Sequence, residues 1–117
     1  MKDIVINACY GGYGLSHDAI MAYSELAHLN LLAVEKENSL IPYEYYMDGI
    51  VSDDHYWTED SIKRDDPDLV SVVKRLKENA SGKYAKLKIV SIPDDVEWTI
   101  SEYDGVEWVA EVHRTWS

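Results

Sequence analysis

The chain contains no phenylalanine and one cysteine, Cys9, in 117 residues. A lone cysteine excludes an intramolecular disulfide and any zinc site built from several thiolates, and it fits a reducing compartment. Cations are scarce too: 11 Lys and Arg stand against 22 Asp and Glu, a net charge of −11. Affinity for a nucleic-acid backbone comes from neutralising phosphates, so without a dense basic patch direct DNA or RNA binding is not expected. Long apolar runs are also missing. No stretch approaches the ~20 residues a membrane span needs. The apolar run in MKDIVINACYGG is too short before its glycines for a signal peptide, and a cytoplasmic protein is expected. Internal repeats and low-complexity segments are absent.

What is present suffices for a core. Hydrophobic residues make up 46% and aromatics 11%, with four Trp and nine Tyr, which excludes disorder of the whole chain. Residues 1–117 read as one domain. Ile4, Val5 and Ile6 mark a buried strand ending near Cys9, and Gly11, Gly12 and Gly14 turn the chain. Ser16 with Asp18 offers N-cap chemistry for a helix carrying Ile20, Tyr23 and Leu26, which is expected to stop near Asn30. Leu29 to Val34 suits a second strand. Residues 38–66 form a variable hairpin or ordered loop in which Tyr43, Tyr45 and Met47 alternate with Glu44, Tyr46 and Asp48. Asp48-Gly49 suggests a tight turn pairing that strand with Ile50 and Val51.

Asp65 or Asp66 precedes Pro67, which suits a first helical position, and Leu69, Val70, Val72, Val73 and Leu76 supply an apolar stripe ending at Gly82. The last third predicts three strands. Tyr84 to Ile92 comes first, then Val96, Trp98 and Ile100 on one face, then a return from Glu107 to Val112 after an Asp104-Gly105 type I′ turn. Trp98 is expected in the core and Trp108 packed across the hairpin from it. The order is β-α-β-(ββ)-α-β-β-β, an α+β domain with one mostly antiparallel sheet and two helices on one face.

The segment Tyr10-Gly-Gly-Tyr-Gly-Leu-Ser-His-Asp18 carries the most chemistry. Glycines at a strand-to-helix turn let backbone N–H groups approach an anion, although the segment lacks the lysine of a P-loop and the spacing of a dinucleotide fingerprint. The plainer alternative is a tight turn alone. Gly11, Gly12, Gly14 and Ser16 would supply donors, Tyr10 and Tyr13 would stack a flat ring, and His17 and Arg114 would add charge complementarity. The plainer reading of Arg114 is an ion pair with one of many acids. His17, His28, His55 and His113 have no metal-ligand spacing, and no metal or cofactor is expected. Cys9 beside a helix start is a candidate nucleophile or an inert buried thiol. A second arrangement is the acidic stretch with Asp53, Asp54, Trp57, Glu59, Asp60, Asp65 and Asp66, where a nucleic-acid mimic would meet a basic host protein.

The blocks INACYGGYGLS, RDDPDLVSVVKRL and LKIVSIPDDVEWTISEYDGVEWVAEVHRTW resemble a group of small uncharacterised bacteriophage and prophage proteins. The resemblance covers about the first 25 residues and everything after Arg64. It implies action in the cytoplasm of an infected bacterium, in the accessory or anti-defence roles common among small phage proteins. Three functions are expected in order: a binding protein for a small anionic or nucleotide-like ligand at the glycine turn, an acidic inhibitor of a host protein, and a small hydrolase using His17 or Cys9. Open sheet edges leave a homodimer available.

Overall fold

The β-branched run near the N-terminus forms β1 (Lys2–Asn7), whose last four residues are buried. A computed structural model of the chain describes residues 1–37 and 42–112. β1 pairs antiparallel with β5 (Leu87–Ile92), from Lys2 opposite Ile92 to Asn7 opposite Leu87. Helix α1 (His17–Leu26) begins where expected, because Ser16 Oγ accepts the Ala19 N–H at 3.1 Å. It stops four residues before Asn30, and His28 takes the left-handed φ of 56°.

Strands β2 (Leu31–Glu35), β3 (Tyr43–Met47) and β4 (Tyr56–Trp57) form a second antiparallel sheet in that order. The Asp48-Gly49 turn is present, with φ of 59° and 69°. Ile50 and Val51 do not return beside β3, however, and stand 47% and 62% exposed in a loop. The edges of β3 are already taken by β2 and β4.

Helix α2 (Pro67–Leu76) starts at Asp66, whose carboxylate accepts the Asp68 N–H at 2.8 Å. Proline at the first helical position forfeits only an N–H that has no intrahelical partner. The helix ends at Leu76 rather than at Gly82, because Lys77 turns to φ 54° and ψ −125° and leads into a short 3-10 turn. Gly82 donates its N–H to Gly14 O at 2.9 Å, where a Cβ would lie 3.0 Å from the Gly14 carbonyl carbon. The final hairpin is β6 (Trp98–Tyr103) and β7 (Val106–Glu111). Asp104 and Gly105 have φ of 51° and 91°, as a type I′ turn requires.

The fold is α+β, and among the described residues the strands pair antiparallel and divide among three sheets, β1-β5, β2-β3-β4 and β6-β7. Helix α2 packs on β1 and β5, and α1 packs on α2. Leu69 and Val72 on α2 and Val5 on β1 are fully buried, with Ile20, Ile62 and Val73 around them. Each such side chain contributes about 1.5–3 kcal/mol by leaving water. Two expectations for the aromatic residues give way. Trp98 is half-buried outside this core, and Trp108 is 47% exposed because it stands opposite Ser101 on the other face of the hairpin. The same register turns Glu107 inward, 7% exposed. Among the described residues no helix is long and apolar enough to cross a membrane.

Candidate functional site

The glycine turn is held in place by Asn7, the buried polar end of β1. Its Nδ2 donates to Cys9 O and to Gly105 O, both at 2.8 Å, and its Oδ1 accepts the Lys86 N–H at 2.8 Å. Cys9 Sγ lies 3.2 Å from Tyr84 O. Two neighbouring glycines are required by close approach: a Cβ on Gly11 would stand 1.8 Å from Tyr84 O, and one on Gly105 would stand 2.6 Å from Tyr10 O. The turn is thus clamped between residue 84 and the tip of the β6-β7 hairpin.

In front of the turn lies a cleft of about 590 Å³. One side is Gly11 to His17, another is Ser81 to Ala85, and the third is a wall of rings from β3 and β4. Alternation along β3 sends Tyr43 and Tyr45 to one face, and the register places Trp57 opposite Tyr45. The His17 ring stacks on Tyr43 with centroids 3.9 Å apart and planes 11° apart, and its Nδ1 is 2.8 Å from Tyr45 Oη. Trp57 meets Tyr45 edge-on at 6.3 Å. Burial, reinforced by the charge of Glu59, pushes the Tyr45 phenol up to about 12.

Tyr13 lines the same cleft, with the Arg64 guanidinium 3.4 Å above its ring. Arg64 is held by Glu107 through two hydrogen bonds, at 2.6 and 2.9 Å, and also donates to Val5 O. Burial alone would raise the Glu107 carboxyl. Hydrogen bonds from Arg64 and the Asn7 N–H, with the Arg64 charge, outweigh burial and hold it below its ordinary value. The Tyr13 hydroxyl is buried and has no hydrogen-bond partner among the described residues. Burial lifts it to about 12 against the opposing pull of Arg64.

Of the donors expected at this turn the Ser16 N–H is engaged within the protein, and so are two of its neighbours. Glu59 Oε2 accepts the Leu15 N–H at 3.2 Å, the Ser16 N–H goes to Ala80 O at 2.9 Å, and the Ala19 N–H goes to the Ser16 hydroxyl. An internal carboxylate therefore stands beside the glycine turn, two residues ahead of α1. Of the charged residues around the cleft, Glu59 and Asp60 are acidic and Lys83 is basic. The Lys83 ammonium sits 5.5 Å from the Tyr84 ring centroid.

Of the residues singled out from sequence, Gly11, Gly12, Tyr13, Gly14, Ser16 and His17 line the cleft. Tyr10 does not, and is 72% exposed. Arg114, with His113 and Trp116, lies outside the described residues. The acidic set divides. Trp57, Glu59 and Asp60 belong to this cleft, whereas Asp66 caps α2 and accepts the Tyr23 hydroxyl at 2.9 Å. Asp53 and Asp54 are exposed in a 3-10 turn, and Asp65 is half-buried. Sequence reasoning did not place Tyr43, Tyr45, Arg64, Lys83 and Glu107 at or beside the site. The alternation of Tyr43 with Tyr45 was the available sign for two of them. Among the described residues no group of three or more His, Cys, Asp or Glu could hold a metal ion. No family model, curated protein or solved structure matches the chain.

Proposed function

We propose that the protein is a non-enzymatic binder of a small ligand with a flat, nucleobase-like ring, held between the glycine turn and the aromatic wall. The observation that carries this reading is the ordered group His17, Tyr43, Tyr45 and Trp57 on one side of a cleft of about 590 Å³, facing a turn in which Gly12 and Gly14 have open space where a side chain would stand. Ligand sites are concave, rich in aromatic surface and fitted with few polar groups. The anionic half of the expected ligand has less support than the ring, because Glu59 already takes the Leu15 donor.

Hydrolysis has little to draw on. Cys9 is engaged with Tyr84 and Asn7, and His17 is stacked and hydrogen-bonded to tyrosines instead of paired with a nucleophile. An acidic host inhibitor loses part of its surface, since Glu59 and Asp66 serve the fold. The resemblance to phage and prophage proteins supplies the setting: sequestration of a small molecule in the cytoplasm of an infected bacterium.

Calorimetric titration with a panel of nucleosides and nicotinamide- and flavin-type rings tests the reading. At least one ring ligand should bind saturably, and Tyr43→Ala should weaken it roughly 5- to 150-fold, the worth of a lost stacking platform. Binding by none of the panel, or binding indifferent to Tyr43→Ala, would overturn it.

A further inference from the structure

Resting on that reading, we infer that the ligand is an organic cation, a flat ring carrying a quaternised or protonated nitrogen, and that Glu59 is the residue that selects it. Three observations converge. First, the Glu59 carboxylate already sits at the glycine turn, two residues ahead of α1, where it receives the Leu15 N–H at 3.2 Å. Second, Asp60 lines the cleft with Glu59, so among the described lining residues two carboxylates stand against one ammonium, and Lys83 holds that ammonium over the Tyr84 ring. An incoming anion would be repelled where an incoming cation is drawn in, in a chain already at −11.

Third, the wall is made of electron-rich rings. The face of Trp or Tyr attracts a cation through its quadrupole, and aromatic enclosures with a nearby carboxylate suit quaternary ammonium ligands. Tyr13 and Tyr45, pushed up to about 12, keep neutral phenols across the physiological range. Among the described residues that line the cleft, Glu59 and Asp60 carry the carboxylates. Glu59 acts on both walls, since its charge is felt at Tyr13 and at Tyr45. Leu15 N–H is its one donor among the described residues, which leaves Oε1 for a ligand.

The test uses three ligands on one ring: 1-methylnicotinamide (cation), nicotinamide (neutral) and nicotinate (anion), titrated by NMR into the wild type and into Glu59→Gln. The amide keeps an acceptor for the Leu15 N–H while removing the charge. The wild type should prefer the cation over the neutral ring by about tenfold or more, with nicotinate weakest. Glu59→Gln should cut that preference to about threefold or less. Nicotinate binding as tightly as the cation would overturn the charge assignment and leave the ring site standing. A cation preference untouched in Glu59→Gln would remove Glu59 from the selecting role. If no ring binds the wild type, the ligand site itself fails. Should Glu59→Gln not fold, Asp60→Asn at the exposed rim keeps the question open to measurement, since it should lower the same preference and an unchanged preference would count against the charge assignment.

Discussion

At the residue scale the consequential side chain outside the cleft is Glu107. It neutralises Arg64, receives the Asn7 N–H at 2.8 Å, and so fixes the guanidinium over Tyr13. Removing one member of such a pair leaves the other charge buried and uncompensated. Glu107→Gln should cost about 2–4 kcal/mol at pH 7, read from urea midpoints. The pH dependence has a definite sign. The carboxyl is held below its ordinary 4.5 in the fold, so its contribution is complete above about 4.5 and is lost as pH falls through the lower folded value. The gap between wild type and variant should therefore narrow in acid, and a gap constant from pH 7 to pH 3 would contradict the assignment. None of this was legible beforehand. Glu107 sits in a strand of alternating residues, and only the register of β6 against β7 turns it inward.

At the element scale, local chemistry was readable and long-range pairing was not. Ser16 and Asp66 announce the starts of α1 and α2 because a cap is made within three residues of itself. Asp104-Gly105 announces its hairpin for the same reason. The partners of β3 are set by residues 31–35 and 56–57, and no neighbouring dipeptide reports that choice. The aromatic wall was therefore visible as an alternation but not as the side of a cleft. The end of α2 was misread because Lys77 makes the turn that a glycine usually makes. A left-handed lysine is strained, so Lys77→Gly should raise stability by about 0.5–1 kcal/mol after the extra chain entropy is counted. That is a rise of roughly 2–6 °C in the thermal midpoint, measurable by calorimetry. A fall in midpoint would show that Lys77 is not a source of strain.

At the scale of the whole molecule, a net charge of −11 acts on a fold joined from three small sheets. Self-repulsion opposes compaction, and 0.15 M salt shortens its reach to about 8 Å. Raising sodium chloride from about 20 to 150 mM should lift the midpoint by a few degrees, followed by scanning fluorimetry; a falling midpoint would mean that attractive pairs outweigh the repulsion. The pairing of β1 with β5 bears on how the chain is made. Asn7 leaves the ribosome about 80 residues ahead of its partner Leu87. At about 5–20 residues per second this is a wait of roughly 4–16 s. Throughout that interval the apolar segment Ile4, Val5 and Ile6 is without its strand partner, and a pairing at the heart of the fold waits on residues made about 80 positions later.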